Sequence, residues 1–248
     1  MADDQQRLNE RPHVPLNQGI VVGIEERGDF TGHIETFKGI PYAQPPMGNL
    51  RFREPVRVPD QPDAIIDASR FGPRAPARQF VIIGPRLEES EDCLTVNIFR
   101  PSGTKAGASL PVALYFHGGA FNRGNAAMHD TGAVVGWSES PMIGISFGYR
   151  IGALGFLPSR ASADMGLLNL GLKDQIMVME WVQDNIAHFG GDPANVTLMG
   201  LSAGAHSVSR AIPVLPKSQL KLLSRFLVTV TCFRRLTWAL QNRLAITF

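Results

Sequence analysis

Runs of β-forming residues at 19–25 and 32–37, separated by the turn-like Arg27-Gly28-Asp29, predict an antiparallel start to the fold. Segments 41–46, 55–62 and 70–76 are dense in Pro and small or polar residues and read as surface loop. From Leu94 the pattern changes. Compact apolar runs at 94–99, 112–116 and 142–147 are bounded by Pro101 and by Gly118-Gly119. Residues 126–137 fit a crossover helix between the last two runs, a βαβ unit that implies parallel strands. Further on, Leu172, Ile176, Met179, Val182 and Ile186 recur three or four residues apart and place the apolar stripe of a longer helix against that sheet. Met179 and nearby Trp181 are packing residues in this pattern, not ligands. Gly190-Gly191-Asp192-Pro193 ends the helix, and 196–199 is a buried strand. There is no internal repeat.

Composition makes this a globular chain. Its 248 residues are 44% hydrophobic and 19% charged, enough to bury a sizeable core. The net charge of +2 is unevenly spread: the last 42 residues hold seven basic residues and no acid, which leaves −5 on everything before them. The positive balance therefore belongs to the tail and is not a nucleic-acid footprint, which would be a basic face on a folded domain. An acidic, polar start, Met1-Ala2-Asp3-Asp4-Gln5-Gln6, is unlike a secretory signal. With only Cys93 and Cys232, the chain is expected to be intracellular and cytoplasmic with free thiols. The apolar stretch 226–233, flanked by Arg225, Arg234 and Arg235, is too short to span a bilayer.

The chemistry is concentrated where the strand at 196–199 runs into Gly200-Leu201-Ser202-Ala203-Gly204. This fits G-x-S-x-G, in which a serine occupies a sharp turn between a strand and a helix. The turn crowds the backbone two residues either side of the serine, which favours glycine at Gly200 and Gly204. It also exposes the hydroxyl, and the helix start aims N–H groups at an anion. A second cluster, Phe116-His117-Gly118-Gly119-Ala120-Phe121, follows the strand at 112–116. Acyl transfer needs backbone donors fixed where negative charge develops, and small residues let a substrate approach them.

Together these segments resemble the type B carboxylesterases, the family that includes cholinesterases and some fungal lipases. The resemblance runs from about residue 18 to 208 and is carried by FKGIPYAQPPMGNLRF from Phe37, SEDCLTVNIFRP from Ser90, PVALYFHGGAF from Pro111, GYRIGALGFL from Gly148, NLGLKDQ from Asn169 and HFGGDPANVTLMGLSAGAHSV from His188. It implies Ser202 as nucleophile and the N–H groups of Gly119, Ala120 and Ala203 as oxyanion hole, with ion pairs of Arg51 with Glu91 and Arg150 with Asp174. It also implies an α/β-hydrolase fold, here the N-terminal portion: a small antiparallel region and a mostly parallel sheet with helices on both faces. The substrate would be a small carboxylic ester, with no cofactor, metal, nucleic acid or transmembrane anchor; nothing in the sequence indicates oligomeric state.

Departures from the family pattern are equally specific. Leu201 stands where most members place Glu, and Ala75 where a disulfide partner for Cys93 usually falls. Asn195-Val196-Thr197 matches a glycosylation sequon but leads into a core strand, so it is read as coincidence. A serine needs a His base and an acid to orient it, and in the family both lie far downstream. After Ser202 the sequence holds no Asp or Glu and one His, His206, which reads as a residue of the elbow helix. His117 belongs to the oxyanion loop, and His13, His33, His129 and His188 sit in no base motif. The expected organisation is an extension over 1–17, a partial hydrolase domain over 18–208 and a basic tail over 209–248. That tail reads either as foreign sequence from a frameshift, retained intron or wrong gene end, or as a genuine amphipathic tail. The chain as written is then an esterase by family with impaired activity, or a catalytically dead binding or regulatory fragment of the same fold.

Overall fold

The structure is a computed structural model that describes residues 11–30, 32–78, 84–214 and 226–231. Its strands are β1 (His13–Leu16), β2 (Gly19–Val22), β3 (Ile24–Glu26), β4 (Ile34–Pro41), β5 (Ile65–Asp67), β6 (Thr95–Pro101), β7 (Leu110–Phe116), β8 (Ile143–Phe147), β9 (Gly191–Leu201) and β10 (Phe226–Thr231). The helices are α1 (Thr131–Gly136), α2 (Gly152–Phe156), α3 (Arg160–Asp164), α4 (Leu170–Asn185) and α5 (Ala203–Val214). A three-stranded sheet, β1-β2-β5, stands beside a seven-stranded sheet ordered β10-β9-β7-β8-β6-β4-β3.

The large sheet is mixed. Strands β3, β4, β6 and β8 pair antiparallel in turn, whereas β8, β7, β9 and β10 pair parallel. The apolar run at 94–99 thus belongs to the antiparallel half. The βαβ unit is present, with α1 linking β7 to its parallel neighbour β8. Every residue of β8 is buried, as a central strand covered on both faces requires. On one face Val112, Leu114, Ile143, Ile145, Val196 and Leu198 pack with Val178, Met179 and Val182 of α4 and Val208 of α5. The smaller cluster of Ile34, Phe99 and Val135 brings α1 onto the other face.

Several expectations change. The expected extension contains β1, because the alternating His13-Val14-Pro15-Leu16 buries Val14 and Leu16 against β2. The Pro-rich loop at 41–46 is not all surface, since Tyr42 and Ala43 are buried and the Tyr42 hydroxyl donates to Gly148 O. The crossover helix starts at Thr131 rather than 126, because Asp130 caps it by accepting from the Ala133 N–H. The expected stripe of the long helix holds at Met179, Val182 and Ile186, which are fully buried, but near the start of α4 Leu172 and Ile176 are half-buried while Asp174 and Gln175 are buried. An ion pair accounts for Asp174 there. Beyond 208, where the sequence predicts no further strand, α5 continues to Val214 and β10 pairs parallel with β9 along its whole length. The β-branched, alternating Phe226-Leu227-Val228-Thr229-Val230-Thr231 accounts for that strand. Residues 1–10, 215–225 and 232–248 of the expected extension and tail, Cys232 included, lie outside the described residues.

Candidate active site

The parallel strands β7, β8 and β9 deliver three loops to the same end of the sheet, at residues 117–124, 148–151 and 202. Ser202 sits between β9 and α5 with φ 54°, a left-handed conformation that a non-glycine residue adopts only when its surroundings hold it there. Its side chain is exposed. The glycines on either side answer to real crowding. A Cβ on Gly204 would meet the Phe116 carbonyl oxygen at 2.0 Å, and one on Gly200 would meet the Gly204 carbonyl carbon at 2.5 Å. Removing the side chain from both positions lets β9, α5 and the end of β7 converge on one point.

The loop at 117–124 is packed against that point. A Cβ on Gly118 would lie 2.7 Å from Leu201 O and 3.3 Å from the Ser202 Cβ. Gly119 (φ 121°), Ala120 (φ 54°) and Phe121 (φ 59°) follow one another in positive-φ conformations, so the chain doubles back. Gly119 O closes the turn by accepting from the N–H groups of Asn122 and Arg123, and Phe121 O accepts from Gly152 N at 2.6 Å. Among the described residues, no acceptor takes the N–H groups of Gly119, Ala120 or Ala203. Three uncommitted donors beside an exposed hydroxyl can stabilise an oxygen that gains negative charge.

A buried scaffold holds the loop from behind. The Tyr149 hydroxyl donates to His117 O at 2.8 Å, and the two rings stack 4.2 Å apart. His117 Nδ1–H donates to Gly118 O at 2.8 Å, and burial lowers the ring's pKa from 6.5 to about 4, so it is neutral near pH 7. Arg150, next to Tyr149, is clamped to Asp174 of α4 through Nε at 2.8 Å and Nη2 at 2.6 Å, and its Nη1 donates to Arg53 O at 2.7 Å. That pair accounts for the polar residue on the buried side of α4. The expected pair of Arg51 with Glu91 is also formed, at 2.6 Å. Cys93 is a buried free thiol beside the same core.

The histidines are placed elsewhere. His206 Nδ1 approaches the backbone oxygen of Ser202 at 2.9 Å, which turns its ring to the start of α5. His129 packs edge-on to Tyr115, His13 bonds Arg11 O, and His188 is exposed at the far end of α4. His33 pairs with Glu25 at 3.2 Å, but that pair lies at the β3 edge, five strand spacings or about 24 Å from β9. Among the described residues no group of acids, histidines and cysteines is arranged to hold a metal, and no helix is long and apolar enough to cross a membrane. Tyr149 is the participant the sequence did not single out. It falls in a quoted family segment, but its link to His117 depends on two loops of different strands meeting in space.

This arrangement of strands, helices and elbow is that of an α/β-hydrolase, and solved esterases superpose on it. A thermophilic PNB esterase matches with a TM-score of 0.71 at 36% identity, covering 80% of this chain and 40% of its own. EstA of Aspergillus niger matches with a TM-score of 0.71 at 35% identity, covering 80% and 37%. The carboxylesterase family model matches residues 10–239, past the boundary expected at 208, and the chain belongs to that family. A secreted triacylglycerol lipase of Gibberella zeae is 39% identical over 216 residues, and a cocaine esterase of Oryctolagus cuniculus is 38% identical over 220. The chain spans 36% of the first and 39% of the second.

Proposed function

We propose that this chain carries the nucleophile and oxyanion hole of a carboxylic ester hydrolase. The observation behind the reading is the conjunction at Ser202: a strained, exposed serine with the uncommitted N–H groups of Gly119, Ala120 and Ala203 beside it. The Ser202 Oγ would attack the ester carbonyl, forming an O–C bond as the carbonyl oxygen takes up charge facing those donors. Collapse would expel the alcohol with the serine's proton, and water would then release the acid from the acyl-enzyme. That proton needs a base. His206 is turned to a backbone oxygen, the His117 ring is held through Nδ1 to Gly118 O and stacked on Tyr149, and His129 packs on Tyr115. The polypeptide of residues 1–248 is therefore expected to hydrolyse p-nitrophenyl butyrate at least about a thousandfold more slowly than a full-length relative. The competing reading, a binding or regulatory fragment of the same fold, draws on that same lack of a base.

A Ser202→Ala control separates the two readings. Slow turnover that falls to background in the variant supports the nucleophile, and turnover indifferent to the substitution overturns it. No Ser202-dependent turnover, together with no labelling by a fluorophosphonate probe, favours the binding fragment. Robust turnover lost in the variant would place a working base among the existing histidines.

A further inference from the structure

Behind the loop that carries Gly118 and Gly119 lies a cavity of about 10 Å³, bordered by Thr95, Asn97, His117, Asn125 and Tyr149. Its size matches one water molecule. The polar atoms on its walls divide into two groups. Asn97, Arg74 and Tyr149 are committed: the Asn97 amide donates to Ser146 and its oxygen accepts from Gly39 N, Arg74 donates to Ala77 O and to Glu89, and the Tyr149 hydroxyl is held by His117 O. Three side chains are only partly used or unused. Thr95 Oγ1 has no partner among the described residues. Asn125 spends its oxygen on Ala127 N, which fixes the amide orientation and leaves Nδ2 without an acceptor. His117 donates from Nδ1 to Gly118 O, so in the neutral ring Nε2 is an acceptor, and no described residue donates to it. All three residues are more than nine-tenths buried, at 8%, 5% and 2% exposure.

We propose that this cavity is a binding site for a single ordered water that locks the oxyanion loop from behind. The three groups fit one water: it accepts from Asn125 Nδ2 and from the Thr95 hydroxyl, and it donates to His117 Nε2. Three partners is the usual complement of a buried water, and leaving three such groups unsatisfied would be costly. By occupying Nε2 as an acceptor, the water holds the tautomer whose Nδ1–H grips Gly118 O. It thus ties β6, through Thr95, to the loop beside Ser202. The site's role rests on the esterase reading, but its existence does not.

The test uses the 248-residue chain and its NMR spectrum, with no turnover involved. The expected result is a His117 ring protonated at Nδ1, with Nε2 shifted as a hydrogen-bond acceptor, and magnetisation transfer from a long-lived water to the protons around Thr95 and His117. Thr95→Val, which keeps the shape and removes the hydroxyl, should weaken or abolish the water signal, and Thr95→Ser should keep it. A folded wild-type protein with His117 protonated at Nε2, or with no long-lived water there, overturns the proposal. So does a Thr95→Val protein that retains the signal unchanged. If Thr95→Val does not fold, the wild-type spectrum and Thr95→Ser decide the matter alone.

Discussion

At the scale of single residues, the site was legible where a motif is enforced by sterics. Gly200, Ser202 and Gly204 could be found because an elbow tolerates so few side chains, and the 2.0 Å approach of Phe116 O to a Cβ at Gly204 is that constraint in the structure. His117 was visible only as part of a Gly-rich cluster. Its stack on Tyr149 and the bond from the Tyr149 hydroxyl to His117 O join chain segments 32 residues apart, which no local pattern encodes. Burial gives His117 a measurable signature. Its pKa is about 4 in the folded chain against 6.5 when unfolded, so between those values the unfolded state binds the proton and the folded state does not. The stability that this neutral ring contributes is complete above pH 6.5 and is lost as pH falls towards 4. The loss amounts to about 3 kcal/mol. Denaturant titrations of wild type and His117→Asn over that range should show the wild type's advantage shrinking by about that amount as pH falls. An advantage independent of pH would contradict the buried neutral ring.

At the scale of elements, periodicity found β4, β6, β7, β8, β9 and α4 in place, with edges displaced by a few residues. It missed short β1 and β5, whose three or four residues leave little alternation to detect, and β10, obscured by its basic surroundings. The first turns of α4 depart from the apolar stripe, which holds at Met179, Val182 and Ile186, because apolar spacing cannot anticipate a buried Asp174 paired with Arg150. Crossover helix α1 was predicted five residues too early, since propensity alone does not register a cap. Asp130 sets its start through the 2.9 Å bond from Ala133 N, so Asp130→Ala should lower stability by about 1 kcal/mol. Asp130→Asn or Asp130→Ser should recover most of it in thermal or denaturant unfolding. An unchanged midpoint in Asp130→Ala would mean that packing under Val135, rather than the cap, sets the start of α1.

At the scale of the whole molecule, the two sheet faces are treated unequally. Helices α4 and α5 cover one, but on the other an apolar groove of about 310 Å³ runs over β7, β8 and β9 beside α1, lined by Tyr115, Val134, Met142 and Met199. Val134 and Trp137 project from α1 with 56% and 58% of their surface exposed. Apolar surface of this kind drives association. The 248-residue polypeptide is expected to bind a hydrophobic dye and to self-associate in sedimentation experiments as its concentration rises. A Val134→Asp, Trp137→Gln double variant should reduce both while shifting stability by no more than about 1 kcal/mol, because neither side chain is buried. Undiminished association would shift attention to another surface. The strand order has a further consequence, in time rather than space. During synthesis β7 gains β8 as a neighbour soon after it emerges, but its other edge waits for β9, which begins at Gly191, seventy-five residues after β7 ends at Phe116. At ribosomal speeds of roughly 5–20 residues per second, that central, apolar edge stays open for about 4–15 seconds. A partly made chain therefore exposes its most adhesive strand before Ser202 has been added, and it is in that interval that a chaperone would matter most.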